Sequence, residues 1–177
     1  MAANIDTRHH EAGHAVSALA LGIEVSDEAM VLISDQEAWV NIPVPDSIPG
    51  EDWCTRRAAV KLAGPIAMMR LRDQPLDWDT MRATPEYASD HQDAQRILLV
   101  FRSHRSCSRR GEALEEQLNS AALLAAQVVD ANASAIQALV EATESRDSFS
   151  RDEILGAIEG HLSPIELPDG AGSAVVG

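Results

Sequence analysis

Segments rich in Ala, Leu and Val, several of them opened by a capping residue, dominate the hydrophobic pattern of this chain and predict helices. Ser89 and Gln92 have the spacing of a capping box, and Ser150 is a good cap for the last helix. Gly22 is a typical stop for the first helix. The predicted helices are Asp6 or Thr7 to Leu21, Glu51 to Leu71, Ser89 to about His104, Gly111 to Asn132, Ala133 to Glu144, and Arg151 to His161.

Two shorter segments between the first and second helices have the character of strands. Ala29 to Ile33 and Ala38 to Val44 flank the polar residues Ser34 to Glu37, which predicts a short hairpin. Arg72 to Ala88 contains two prolines and several acids, and we expect a loop there. Loops of this length tend to be functional or mobile, so it is a candidate for shaping a binding cleft.

The composition fits one helical domain. The chain has 177 residues, of which 45% are apolar and 3% aromatic. This apolar content excludes a disordered chain, and a core of Ala, Leu, Val and Ile favours closely packed helices. We therefore predict a mainly α (α+β) fold, with residues 1–162 forming a single domain that includes a small β-hairpin. Residues 163–177, rich in Gly, Pro and Ala, are predicted to form a flexible C-terminal tail.

Net charge and apolar segments limit the expected partners and location. A formal charge of −14 would repel nucleic acid and anionic membranes, so we expect no nucleic-acid partner. The sequence shows no signal peptide and no membrane segment. Cys54 and Cys107 form no CxxC pair and are expected to be reduced thiols. Together these features predict a cytoplasmic protein.

One motif near the start of the chain contains residues that can bind a metal ion. His10-Glu11-Ala12-Gly13-His14 is an HExxH sequence, which on a helix places two imidazoles on one face, four residues apart. They could hold one metal ion, while Glu11 could take a proton from water that zinc has made more acidic. The alternative is that both histidines are surface residues near a helix start. The Ala- and Leu-rich helix around them favours burial and therefore the metal site.

A catalytic zinc needs a third protein ligand, and Asp90 is the candidate. On the predicted third helix it shares a face with four apolar residues, where an unpaired acid would be costly to bury. Asp90 could equally be a first-turn acid in solvent, stabilised by the helix dipole. The residues sharing its face are Ala94, Ile97, Leu98 and Phe101. The neighbouring His91 and Asp93 point further round the helix and are weaker candidates.

The remaining histidines lack partner spacing. His9 lies on a different face of the first helix from His14, and we expect it to be exposed to solvent. His104 and His161 are likewise predicted to be surface residues.

The sequence around the motif resembles a known family. His10 to Val16 is similar to the zinc-helix signature of the FtsH-type peptidases, the proteolytic halves of membrane-bound AAA proteases. Ala59 to Ala67 is similar to that family's leucine-glycine-glycine-arginine-alanine-alanine segment. Ala88-Ser89-Asp90 resembles its serine-asparagine-aspartate segment, and the closing helices from Ala131 to about Ile158 also resemble the family. The resemblance implies a zincin-like metallopeptidase domain with Zn²⁺ held by His10, His14 and Asp90, and Glu11 as the catalytic base.

The chain also departs from the family pattern. It contains no glycine-rich phosphate loop, so no ATPase module is expected. Pro65 stands where the family has arginine, and Met68 stands where it has glutamate. These changes argue against unfolding-coupled degradation and hexameric assembly, and leave the zinc chemistry intact. Whether the chain forms a homo-oligomer, and whether a separate ATPase partner acts with it, stays open.

Three functions are therefore weighed from the sequence. The first is a stand-alone zinc metalloendopeptidase that hydrolyses flexible peptides or unfolded protein segments. The second is a non-catalytic, zinc-braced protein-interaction module. The third is a helical domain without metal. Glu11 favours the first, because a purely structural zinc site does not need that carboxylate.

Overall fold

A computed structural model describes residues 3–34, 37–44, 51–103 and 113–165 of the protein. This part of the chain is mainly helical with one small antiparallel sheet, which confirms the mainly α (α+β) fold class predicted from the sequence. The helices are α1 (Ile5–Ala20), α2 (Glu51–Leu71), α3 (Trp78–Ala83), α4 (Pro85–Ser103), α5 (Leu114–Ala131), α6 (Ala133–Ala142) and α7 (Arg151–Ala157). The strands are β1 (Glu28–Ser34), β2 (Glu37–Val40) and β3 (Ser148–Ser150), and a 3₁₀ turn spans Thr143–Ser145.

Helix α1 begins slightly earlier than predicted. Asn4, rather than Asp6 or Thr7, is the N-cap, and its side chain accepts a hydrogen bond from the backbone N–H of Thr7 at 2.8 Å. Asp6 lies in the first turn, where its charge complements the helix dipole. The predicted stop is confirmed, since Gly22 adopts a positive φ of 66°, which other residues rarely adopt.

The segment predicted as a loop from Arg72 to Ala88 is mostly helical. Asp77 caps the short helix α3 by accepting a hydrogen bond from the backbone of Thr80 at 2.9 Å. Helix α4 begins at Pro85, because proline is well suited to a first helical position, where no N–H is needed. Ser89 is therefore inside α4, and its predicted capping box with Gln92 is wrong.

The sheet has the strand order β2-β1-β3. The predicted hairpin is confirmed: β1 and β2 pair antiparallel with Val31 opposite Trp39, although β2 ends at Val40. Strand β3 was not predicted, because three residues beside a helix cap carry too little pattern. It pairs antiparallel with β1, with Met30 opposite Phe149. Because β1 is central, β2 lies at one edge of the sheet.

The C-terminal helices agree with the sequence except at their ends. Asn132 separates α5 from α6, at the boundary between the two helices that the sequence predicts. Ser150 caps α7 in a capping box with Glu153, but α7 ends at Ala157 rather than at His161. Beyond it, Ser163 hydrogen-bonds to the buried Asn132 side chain. Residues 166–177 of the predicted tail lie outside the described part of the chain.

Helix α2 is the centre of the packing and contacts α1, α4 and α5. It crosses α1 closely at Gly13, where an added Cβ would lie 2.8 Å from the Ala67 Cβ and 2.9 Å from the Ala63 carbonyl oxygen. Only a residue without a side chain lets the two backbones approach this far. The crossing brings the HExxH face of α1 against the middle of α2.

None of the described helices is by itself long and apolar enough to cross a membrane. Helices α5 and α6 with the following turn, bent by 69°, satisfy such a test only as a pair, by length and composition. Cys54 is buried, and Cys107 lies outside the described residues.

Candidate metal centre

Helix α1 carries two imidazoles that face one another. His10 and His14 are one helical turn apart, so their side chains project from the same face. Their Nε2 atoms are 3.0 Å apart, and the two rings meet edge to face at 84°. His14 is buried and His10 is half-buried. Two ring nitrogens therefore face the same small space.

Asp90 on α4 completes the cluster. Its Oδ2 atom is 2.9 Å from the Nε2 of His10 and 3.5 Å from the Nε2 of His14. In a tetrahedral zinc site with bonds of about 2.0–2.1 Å, neighbouring ligand atoms are about 3.3 Å apart. The three separations in the cluster lie around that value, and two imidazoles with one carboxylate are a donor set that zinc accepts. The residues present therefore fit a zinc ion.

The outer side of the His14 ring is held by the main chain of α2. Its Nδ1–H donates a hydrogen bond of 2.7 Å to the Val60 carbonyl oxygen. This assigns the proton of the neutral ring to Nδ1 and leaves the Nε2 lone pair directed at the cluster. A metal-binding histidine commonly has such a partner on its other nitrogen, which fixes both tautomer and ring orientation.

Lys61 on α2 holds the other oxygen of the Asp90 carboxylate. Its Nζ atom is 3.6 Å from Asp90 Oδ1 and 3.4 Å from the Oδ2 of Asp93. Because Oδ1 faces the ammonium group, only Oδ2 is presented to the two histidines. This role of Lys61 cannot be predicted from the sequence, since the pattern of α2 does not show which residues of α4 it meets.

Burial and charge compete in setting the proton affinities of the cluster. Burial favours the neutral form of Asp90, but the charge of His14 and hydrogen bonds from both histidines hold its pKa well below the usual range. Burial lowers the pKa of His14, but the charge of Asp90 and the hydrogen bond to it raise that pKa above the ordinary 6.5. A bound cation would therefore have to displace a proton from the cluster.

Glu11 is a buried carboxylate beside the two histidines. It is 7% exposed, and it lines the same cleft as His10 and His14. Within the part of the chain that the structure describes, no protein group donates a hydrogen bond to it, although charge attraction links it to His14. The residue as a whole is buried, but its oxygens are not among the buried atoms without a partner, so the carboxylate opens into the cleft. The position suits a base that acts on a water molecule in the cleft.

The cluster lies in a cleft of about 370 Å³ between α1, α2, the start of α4 and strand β2. Residues of β2 and of the segment after it contribute apolar lining, and residues near the starts of α1 and α4 contribute polar lining. The lining residues other than the cluster and Glu11 are Asn4, Asp6, Thr7, Ala38, Trp39, Val40, Ile42, Val60, Lys61, Met68, Arg72, Tyr87 and Ser89. The space is large enough to hold part of an extended peptide.

Gly64 on α2 leaves room for the His14 ring. A Cβ at this position would lie 2.5 Å from Nε2, 2.6 Å from Cε1 and 2.9 Å from Cδ2 of His14. This role of Gly64 was not predicted from the sequence. The available signal was a glycine in a helix interior, which is destabilising unless a close approach requires it.

The other sequence candidates do not join the cluster. His9 was expected to be exposed but is buried, and its Nδ1 bonds with the Ile5 carbonyl oxygen one turn earlier in α1. His91 is buried edge-on against Trp78 of α3, a helix that the sequence did not predict. His161 is exposed, as expected, and His104 lies outside the described residues.

No model of a known protein family matches this chain, and no curated protein matches its sequence.

Proposed function

We propose that this protein is a zinc-dependent peptidase that cleaves flexible peptides or exposed, unfolded protein segments. The observation that carries the proposal is the convergence of His10, His14 and Asp90 from two helices, with the Glu11 carboxylate beside them in an open cleft. A zinc site that only braces a fold is normally closed by four protein ligands. Here three candidate ligands meet, and the cleft leaves one side of the cluster accessible.

Each residue has a separate part in the proposed reaction. A bound zinc ion would supply Lewis acidity, which polarises a peptide carbonyl and makes water more acidic. His10, His14 and Asp90 would hold the ion, and the Val60 carbonyl would keep His14 in the required tautomer. Glu11 would take a proton from the attacking water and deliver it to the leaving amine nitrogen.

The edge strand β2 offers a way to bind the substrate. The N–H of Asn41 bonds with the Ala29 carbonyl oxygen of β1 at 2.8 Å, so by alternation the main-chain groups of Ala38 and Val40 point away from β1. Both residues line the cleft, and among the described strands none pairs with this outer edge of β2. An extended peptide could add there as a further strand, with its main chain running past the metal cluster.

The test compares the wild type with Glu11→Gln and with the control Glu115→Gln, which changes an exposed first-turn glutamate of α5. Zinc content is measured by atomic absorption, and cleavage is measured on fluorescein-labelled casein, an unstructured probe. We expect one zinc per chain in all three proteins. Glu11→Gln should lose cleavage by at least about 100-fold, as for removal of a general base.

Two outcomes would contradict the proposal, the first in its mechanism and the second in the activity itself. Full cleavage by Glu11→Gln would remove Glu11 from the mechanism. A wild type that binds zinc tightly but leaves casein and a mixed peptide library intact would instead favour the non-catalytic, zinc-braced interaction module.

A further inference from the structure

The cluster depends on the distance between two helices that scarcely touch. Helices α1 and α4 each pack extensively on α2, but only marginally on one another. His10 and His14 come from α1 and Asp90 comes from α4, so a small shift of either helix changes the separation of the ligand atoms. The distance from α1 to α4 therefore depends on the packing of both helices against α2 and on the side chains that join them.

Arg72, just beyond the end of α2, bridges these two helices. One terminal nitrogen of its guanidinium group lies 2.5 Å from Asp6 Oδ2 on α1, and the other donates a hydrogen bond of 3.0 Å to the Tyr87 hydroxyl on α4. All three side chains line the cleft that holds the metal cluster. The bridge thus joins the same two helices as the candidate ligands do.

The bridge is in register with the ligand set. Asp6 precedes His10 by four residues on α1, and Tyr87 precedes Asp90 by three residues on α4. Residues at these spacings share a helix face, one turn or about 5.4 Å apart along the axis. The Asp6–Arg72–Tyr87 bridge therefore runs beside the contact between His10 and Asp90, one turn closer to the N-terminus of each helix.

The chemistry of the three side chains suits a rigid connection. A guanidinium group is planar and presents its donors at fixed angles, so it can hold two acceptors at once, whereas a lysine ammonium is a single flexible point charge. Tyr87 is 1% exposed, and packing holds its hydroxyl in place. Arg70, two residues earlier, pairs instead with Asp130 on α5, and both of those side chains are largely exposed. Arg70 therefore makes a similar ion pair that does not involve α1 or α4.

We propose that Arg72 is a positioning residue for the metal centre, which sets the spacing of α1 and α4 through Asp6 and Tyr87 and thereby the affinity of the site for zinc. The inference rests on the proposed zinc site, but it does not require that the protein cleave peptides.

The experiment measures the zinc dissociation constant by competition with a chromophoric chelator. The proteins compared are the wild type, Arg72→Met, Tyr87→Phe, the double variant, and the matched control Arg70→Met. We expect Arg72→Met to bind zinc about 10- to 100-fold more weakly, the range found when a residue supporting a metal ligand is lost. Tyr87→Phe should weaken binding in the same direction by a smaller factor, and Arg70→Met should bind as the wild type does.

The double variant tests the bridge directly. If Arg72 and Tyr87 act through one connection, the double variant should bind zinc no more weakly than Arg72→Met alone, within about twofold. Thermal unfolding of the zinc-free proteins shows whether Arg72→Met and Arg70→Met lose similar stability. A purely structural ion pair would lower stability in both and leave the dissociation constants equal.

Unchanged zinc affinity in Arg72→Met, or an equal loss in Arg70→Met, would overturn the proposal. If Arg72→Met does not fold, Tyr87→Phe decides, because it removes a single buried oxygen and wild-type affinity in that variant would contradict the bridge. A wild type that binds zinc without cleaving casein would end the peptidase proposal and leave the bridge standing. A wild type that binds no zinc would overturn both.

Discussion

Replacing Gly64 by alanine tests most directly whether the cluster is a metal site. The new Cβ would lie 2.5 Å from His14 Nε2, the atom that faces His10 and Asp90. Ordinary contact between such atoms is at about 3.5 Å, so the ring must move by about 1 Å. It cannot move freely, because its Nδ1 is bonded to the Val60 carbonyl oxygen.

The expected loss follows from how narrowly metal bonds are defined. Bond lengths in metal sites stay within about 0.2 Å of their usual values, so a 1 Å displacement removes His14 as a good ligand. We expect zinc affinity to fall by at least about 100-fold, or about 2.7 kcal/mol. In the zinc-free protein, overpacking costs about 1–3 kcal/mol. The better helix propensity of alanine offsets up to about 1 kcal/mol of that loss.

The assay is zinc titration against a chromophoric chelator, with thermal unfolding of the zinc-free proteins. Gly156→Ala in α7 is a matched control, because an added Cβ there meets nothing within 4 Å, and it should keep wild-type affinity. Gly13→Ala strains the same crossing of α1 and α2 through Ala67 and Ala63 without striking His14. It should lose stability but less affinity than Gly64→Ala. Wild-type zinc affinity in Gly64→Ala would refute the assignment of His14 as a ligand.

Three further outcomes are expected from the structure. The affinity for zinc should fall as the pH is lowered, and the fall should begin above pH 6.5. The reason is that the net effect of burial and of Asp90 is to raise the pKa of His14, whose proton zinc must displace. The same chelator competition measures this, and an affinity that does not change between pH 8 and pH 6 would contradict it. Lys61→Met should weaken zinc binding about tenfold by freeing the Asp90 carboxylate to rotate, and Lys61→Arg should restore part of it; equal affinities in a zinc titration would show that Lys61 only pairs charges. Asn132→Ala should lower the free energy of unfolding in urea by about 1–3 kcal/mol, because its buried amide bonds with both main-chain groups of Ser163; an unchanged urea midpoint would show that this contact adds no stability.

Local features were readable from the sequence wherever neighbours along the chain decide the structure. The four-residue spacing of His10 and His14 places them on one helix face in any α-helix, so this half of the cluster needed no tertiary information. The bounds of α2, Glu51–Leu71, and the cap of α7 at Ser150 also follow from local pattern and capping chemistry. Two short elements, α3 and β3, are not predicted by the local pattern. Helix α3 and strand β3 contain few residues, and packing and pairing with distant segments stabilise them.

The role of Asp90 could not be decided from the sequence alone. From the pattern of α4 alone, a solvent-exposed acid at a helix start was as good an interpretation as a ligand. Two things decided between them: α4 starts at Pro85, which places Asp90 in the second turn, and α2 holds α4 against the HExxH face of α1. The sequence also gave no indication that His9 is buried or that Arg72 meets Tyr87.

Local pattern alone was enough to predict the helical class of the fold, the two imidazoles on one helix face and the carboxylate of Glu11 next to them. The packing of the helices was needed to show that Asp90 joins the imidazoles and that Gly64 leaves room for His14. It was also needed to show that Lys61 and Arg72 contact the groups around the cluster. Helix periodicity relates residues a few positions apart, whereas these contacts join residues on different elements that are 15 to 80 positions apart. Such contacts depend on the close crossing of α1 and α2 and on the packing of α4, which no local pattern encodes.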